Sequence, residues 1–365
     1  ESPLIVGFGK NENFIASDIP AILAYTRDVY FLENNEIVVV KADEVKIYNG
    51  DLEEINKEVF NVNWDISAAE KGGYEHFMFK EIMEEPRALR DTISPRIKDG
   101  KIVLDDISLT KDYLNGIRKI SIVACGSAYH VGIAAKYIME KMLRIPVEAS
   151  IASEFRYSEA FINENTLGVF ISQSGETADT LAALRLSKKK GAKILSIVNV
   201  KGSAISEESE NVIYTKAGRE IAVATTKAYS AQLVSLYALA IYMGKIKGSI
   251  EEEKYKNLIK EFKILPEKIE KTIKILAPEM EELANKIYKK KDIFFIGRLN
   301  DYATAAEGSL KMKEISYINS QSYPAGELKH GTISLIEKGT VVVAVAGKSK
   351  VFSKTVSNIS EVQVR

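Results

Sequence analysis

The sequence predicts an α/β protein: a parallel sheet covered by helices, present twice in the chain and preceded by a strand-rich leader. Three observations carry that prediction. From residue 120 to about 244, apolar strand-like runs alternate with helix-length runs, the pattern of right-handed crossovers with strands buried on both faces. The order strand, glycine, polar turn, helix occurs in ISIVACGSAYHVGIAAKYIMEKM and again in IFFIGRLNDYATAAEGSLKMKEI, with Gly126 and Gly297 lying 171 residues apart. A second pair, TLGVFISQSGETADTLAALRLS and TVVVAVAGKSKVFSKTVSNISE, begins at Thr166 and Thr340, 174 residues apart. Two element pairs at nearly one spacing argue for a duplicated, three-layer domain.

At 365 residues the chain has room for two or three domains. Residues 1 to about 66 are strand-rich, in PLIVGFG and VYFLENNEIVVVKADEVKIYN, with a turn at Asn34 and Asn35 and no crossover helix. From Tyr74, YEHFMFKEIMEEPRALRDTI has the spacing of an amphipathic helix interrupted near Pro86. The first α/β copy then runs ISIVACG, a helix near 129–143, LGVFISQ, a helix near 177–190, ILSIVNV, NVIYTKA and a helix near 226–243. Residues 250–291 read as a charged helical connector broken at Pro266 and Pro278. In the second copy, ILSIVNV, NVIYTKA and the helix after Thr226 have no counterpart before Arg365, and ESPLIVGFG begins within a strand without an initiating Met. The expectation is a piece of a longer protein, cut at both ends.

Acidic and basic residues balance at 50 each, so no global field favours nucleic acid or an anionic membrane. A single cysteine excludes an internal disulfide framework, and no apolar run of about 20 residues could span a bilayer. The expected location is the cytoplasm, without nucleic-acid or membrane partners.

Chemistry concentrates at two turns. In an open parallel sheet ligands bind beyond the carboxyl ends of the strands, where helix N-termini present unpaired N–H groups and a positive dipole end. There the sequence places Ser172, Gln173, Ser174, Gly175 and Thr177. The hydroxyls can donate to phosphate oxygens, and Gly175 lets the backbone approach closely. Helix capping explains any one hydroxyl alone, yet three within six positions exceed what a cap needs. A second small turn, Gly126, Ser127 and Ala128, follows the preceding strand. Neither dinucleotide nor P-loop glycine spacing occurs at these turns, which favours a phosphorylated small molecule over a nucleotide. No cofactor is expected. Cys125 reads as a small packing residue rather than a nucleophile. Thr225 and Thr226 open a long apolar helix, as a third wall of the pocket or as its caps.

In the second copy Glu307, Lys311 and Glu314 fall at i, i+4 and i+7 on one helix face. A solvated salt-bridged stripe is the plain alternative, but Ala303, Ala306, Leu310 and Ile315 make the rest of that helix apolar, and YPAGELKHG with His330 follows closely. Carboxylate, ammonium and imidazole together suit proton transfer beside a sugar carbonyl. His76 and His130 read as packing or surface residues, and no ligand spacing suggests a metal.

Taken together, CGSAYHVG, ASEFRY, SQSGETADTLAALRLSKKKGAK, EIAVATTKAYSAQL, LKMKEISYI and AGELKHG closely resemble the glutamine–fructose-6-phosphate aminotransferase (isomerizing) family, the glucosamine-6-phosphate synthases. ENFIASDIPAIL and FMFKEIMEEPRAL resemble the end of its glutaminase domain and the start of its isomerase half. The resemblance implies residues 1–66 as the C-terminal strands of an Ntn-type glutaminase domain, 67–248 as a first SIS (sugar isomerase) domain with leading helices, and 249–365 as connector helices and part of a second SIS domain. It also implies conversion of fructose 6-phosphate to glucosamine 6-phosphate with ammonia from glutamine, in a homodimer.

Carried over by motif, Ser172, Gln173, Ser174 and Thr177 would grip the sugar phosphate with Ser127, and Val223 and Ala224 would line the sugar by backbone. Glu314 would move the proton between C1 and C2, assisted by Lys311 and Glu307, and His330 would open the sugar ring across a dimer contact. The family's N-terminal catalytic cysteine would lie upstream of Glu1 and its imine-forming lysine beyond Arg365, so this stretch alone is not expected to turn over. Ala128 stands where many relatives carry a serine, a loss of about 1 kcal/mol for one neutral hydrogen bond. Two other readings share the phosphate loop: an SIS-domain phosphosugar-binding regulator, and an SIS-type amino-sugar-phosphate deaminase or deglycase. The LKMKEIS and AGELKHG segments speak against the first and the strand-rich leader against the second.

Overall fold

A computed structural model describes residues 4–17, 21–62, 71–104 and 107–365, in two compact units, Glu1–Lys80 and Glu81–Arg365. The first unit is antiparallel. Strands β1 (Leu4–Phe8), β2 (Asn13–Ala16), β3 (Asp28–Leu32) and β7 (Phe60–Asn61) form one sheet in the order β2-β1-β3-β7, while β4 (Ile37–Val40), β5 (Val45–Tyr48) and β6 (Glu54–Ile55) form another. The expected turn at Asn34 and Asn35 is present, with Asn35 at φ +68°. It passes the chain from one sheet to the other rather than closing a hairpin. Ile5, Ile22, Leu23, Val29 and Val62 form this unit's core. The domain limit expected at 66/67 lies outside the described residues.

The second unit begins within α1 (Phe77–Ile93), which corrects one expectation: it runs through Pro86 without stopping. A proline there forfeits one backbone hydrogen bond, but Ala88, Leu89 and Ile93 bury the helix beyond it. A short hairpin, β8 (Ile97–Lys98) and β9 (Lys101–Ile102), leads to α2 (Lys111–Gly116). The first α/β copy comprises β10 (Lys119–Ala124), α3 (Gly126–Leu143), β11 (Val147–Ile151), the short α4 (Ala152–Phe155), β12 (Thr166–Ser172), α5 (Ala178–Lys189), β13 (Lys193–Val198), the short α6 (Ala204–Glu207), β14 (Asn211–Tyr214) and α7 (Lys227–Lys247). Its five strands are parallel, in the order β11-β10-β12-β13-β14. β12 is buried at all seven positions, as a central strand covered on both faces must be. Alternate residues of β10 serve opposite layers: Ile120, Ile122 and Ala124 join the core under α3 and α7, and Val123 joins Phe170 and Leu184 on the other side.

α8 (Glu252–Lys263) and α9 (Leu265–Ile287) link this copy to the second. The expected two breaks are one. Pro266 sits in the first turn of α9, where a missing N–H costs nothing. Pro278 lies inside α9, which continues through it and whose only buried residue is Pro266. The second copy contains β15 (Asp292–Gly297), α10 (Asn300–Ser316), β16 (Asn319–Pro324), β17 (Val341–Ala344) and α11 (Phe352–Gln363). Its strands are parallel in the order β16-β15-β17, which repeats β11-β10-β12. Each copy therefore sends its chain from a central strand through a helix to an edge strand, then back to the other side of the centre. Among the described residues no helix is long and apolar enough to cross a membrane.

Candidate active site

A cleft of ≈ 280 Å³ lies beyond the carboxyl ends of β10 and β12, where Cys125, Ser127, Ala128, Ser172, Gln173, Ser174 and Thr177 meet residues of the 220–225 segment, Gln232 of α7, and Lys311 and Glu314 of α10. Both copies thus contribute to one cavity.

The hydroxyl loop is built by its own hydrogen bonds. Ser172 Oγ accepts from the N–H of Gly175 at 3.0 Å and is hydrogen-bonded to Thr177 Oγ1 at 2.8 Å, either hydroxyl being able to donate. Ser174 Oγ accepts from the N–H of Glu176 at 3.2 Å. Gly175 adopts φ +72°, and a Cβ there would stand 1.9 Å from Ser203 Oγ. Thr177 is the N-cap of α5 but makes no side-chain capping bond, its hydroxyl being turned to Ser172.

The opposite wall is a strap held by two carboxylates. Glu220 Oε1 accepts from the N–H groups of Thr226 at 2.9 Å and Ala228 at 3.1 Å, and Oε2 accepts from Thr225 Oγ1. Glu220 is therefore the cap of α7, which neither threonine provides. Glu81, only 2 % exposed, accepts from the N–H groups of Ile221 at 2.6 Å and Ala222 at 3.2 Å. Burial pushes its carboxyl above the ordinary carboxylate value, with those two amides pulling the other way. Between these anchors Val223 is fully exposed at the cleft, whereas Ala224 is buried and does not line it.

The third wall is α10. Glu307 is buried, and the solvated-stripe alternative does not describe it. Ser127 Oγ donates to its Oε1 at 2.7 Å and His130 Nδ1 lies 2.8 Å from its Oε2. Lys311 Nζ stands 3.6 Å from Glu307 Oε1 and pairs with Glu314, whose side chain reaches the cleft. His130 was expected as a packing or surface residue. Instead it joins the two copies through Glu307. His76 is exposed beside Glu75. His330 sits in the turn Leu328–His330, exposed and away from the residues lining the cleft of this chain. Cys125 packs against the Val123 and Phe170 layer, with Sγ 3.7 Å from Thr180 Oγ1, and also borders the cleft. Among the described residues no cluster of three or more His, Cys, Asp or Glu could hold a metal ion.

Sequence reasoning missed Glu81, Glu220, His130 and Gln232. Glu81 and His130 find their partners 140 and 177 residues away, so no local pattern marks them. Glu220 was within reach, as an acid just ahead of a long apolar helix.

Two linked parallel sheets, with a hydroxyl-rich loop at the strand ends of the first, define a SIS-domain protein, and the SIS domain family matches residues 113–242 and 286–365. A solved structure described as the C-terminal domain of glucosamine-fructose-6-phosphate aminotransferase from Francisella tularensis superposes with TM-score 0.78 and 41 % identity, covering 81 % of this chain and 83 % of that one. Two curated relatives, from Clostridium tetani at 54 % identity and Caldanaerobacter subterraneus at 53 %, match over all of this chain and 60 % of their own length; both are named glutamine–fructose-6-phosphate aminotransferase (isomerizing). The chain belongs to this aminotransferase family within the SIS class, and spans about 60 % of the length of those curated relatives.

Proposed function

We propose that this chain carries the sugar-phosphate and isomerase site of an enzyme that makes glucosamine 6-phosphate from fructose 6-phosphate and glutamine. The observation that carries the proposal is the shared cleft: neutral donors at a strand-to-helix junction of one copy face Lys311 and Glu314 of the other. The phosphate dianion is held by the hydroxyls of Ser172, Ser174 and Thr177, the Gln173 amide and the N–H groups at the start of α5. Ser127 adds its backbone N–H at the start of α3, because its hydroxyl proton is already given to Glu307. The backbone of Val223 borders the sugar, and the buried Ala224 supports it from behind.

Glutamine hydrolysis, in a glutaminase part to which residues 1–66 form the end, supplies ammonia. Condensation at the C2 carbonyl expels water and leaves an imine. The Glu314 carboxylate takes a proton from C1 and returns it to C2 while the C1 hydroxyl proton passes to the imine nitrogen, so C1 becomes an aldehyde and C2 keeps the amine. Lys311 steadies the charge that develops on the C1 oxygen, and Glu307 holds Lys311 in place. His330 acts in ring opening from a second copy of the chain, in a cytoplasmic homodimer. Residues 67–248 and 249–365 are the two SIS portions. A regulator that only bound phosphosugars would have no use for an ammonium and a carboxylate facing the sugar's reactive end.

Calorimetry on the full-length enzyme tests the phosphate assignment. Ser174→Ala with Thr177→Ala should weaken fructose 6-phosphate binding by about 1.5–3 kcal/mol per hydroxyl, the worth of a hydrogen bond to a charged group, while melting stays near wild type. Unchanged affinity would refute it.

A further inference from the structure

We propose that His130 is a positioning residue: with Ser127 it clamps Glu307 across the contact between the two copies and so sets where Lys311 and Glu314 stand in the cleft. This rests on the function proposed above. Glu307 is 8 % exposed, and a buried carboxylate is tolerated only when paired and hydrogen-bonded. Its two oxygens divide the task. Oε1 receives the Ser127 hydroxyl at 2.7 Å with Lys311 at 3.6 Å, while among the described residues Oε2 is held by His130 Nδ1 at 2.8 Å. A carboxylate accepts, so the imidazole carries its proton on Nδ1 and donates. Both donors sit on the first turns of α3, the helix that also opens the phosphate-side wall of the cleft.

The consequence is geometric. Glu307, Lys311 and Glu314 share one face of α10, so fixing Glu307 fixes the rotation of the whole helix about its axis. Side chains ride about 5–6 Å from a helix axis, so a rotation of about 10° carries the Glu314 carboxylate ~1 Å. A misplacement of ~1 Å can cost ~10²-fold in rate. Without His130, Oε2 loses that hydrogen bond, and Glu307 no longer pins the rotation of α10 against α3.

The test uses the full-length enzyme with His130→Ala and His130→Asn, the second keeping a side-chain N–H. Two quantities are read: exchange of the fructose 6-phosphate C1 proton with solvent, and calorimetric affinity for the same sugar. The clamp predicts that His130→Ala slows exchange by up to ~10²-fold with affinity unchanged, and that His130→Asn restores most of the rate. Wild-type exchange in His130→Ala would overturn the clamp while leaving the functional reading intact. Parallel loss of affinity, rate and melting temperature in both variants would overturn it too, since a merely structural residue behaves that way. If the wild-type enzyme neither bound nor exchanged fructose 6-phosphate, the functional reading would fall and the positioning role with it.

Discussion

At Gly175 two demands meet on one residue. Its φ of +72° is costly for any residue with a Cβ, about 1–2 kcal/mol, and the added atom would collide with Ser203 Oγ at 1.9 Å. Gly175→Ala should therefore lower stability by more than the backbone term alone, and open the loop that Ser172 Oγ closes on the Gly175 N–H. Chemical denaturation measures the first effect; wild-type stability in the variant would show that the loop has another resting shape. The hydroxyls around Gly175 were legible in the sequence because their geometry is local: strand end, turn and helix start occupy consecutive residues. Glu81, His130 and Glu220 act on backbone or side chains that only the folded chain brings near, or sit where an acid reads as a solvated charge. Ser127 was legible as a cleft residue but not in its actual bond, since its partner lies 180 residues on.

Among the elements, α1 carries the least expected load. The sequence marked it only as an amphipathic helix, yet Glu81 anchors the strap, Glu84 pairs with the buried Lys227 at 2.7 Å, and Glu85 accepts from Ser230 Oγ at 3.0 Å. Burial holds the Glu81 and Glu85 carboxyls above their ordinary value of 4.5, with hydrogen bonds pulling the other way. The sign follows directly. An acid whose folded value is raised keeps its proton longer in the folded chain, so its stabilising contribution is complete below about 4.5 and is lost as pH rises through the folded value. Glu85→Gln, which keeps a partner for Ser230, should flatten the decline of melting temperature between pH 4.5 and neutrality; a slope identical to wild type would remove Glu85 from that decline. The strands divide in the same way. β10, β12 and β13 are continuous apolar runs and were read correctly, while β11 and β16 were missed. VEASI and NSQSYP lie at sheet edges, where one side meets water and no apolar run is required. Pro86 and Pro278 were read as breaks from local chemistry, and the helices run through both.

Across the second unit, duplication explains the division of labour. The first copy retains the full five-strand sheet and the hydroxyl loop, and the second brings α10 against α3 with its acids turned toward that loop. On the proposed function, binding and proton transfer belong to different copies, and substitutions should separate them. Glu314→Gln should abolish exchange of the C1 proton while sugar-phosphate affinity and glutamine hydrolysis persist, the mirror image of the loop variants; retained exchange, followed by NMR in deuterated water, would take Glu314 out of the proton-transfer role. The repeat was visible as two element pairs at nearly one spacing, but the clamp between the copies was not, because it joins residues that share no motif.

The most direct measurement is a crystal structure of the full-length enzyme with fructose 6-phosphate bound. Its ester oxygens are expected within hydrogen-bond distance of the Ser172, Ser174 and Thr177 hydroxyls, with C1 toward Glu314. A sugar phosphate seated elsewhere, leaving residues 172–177 without a ligand, would contradict the assignment on which both the proposed chemistry and the role of His130 depend.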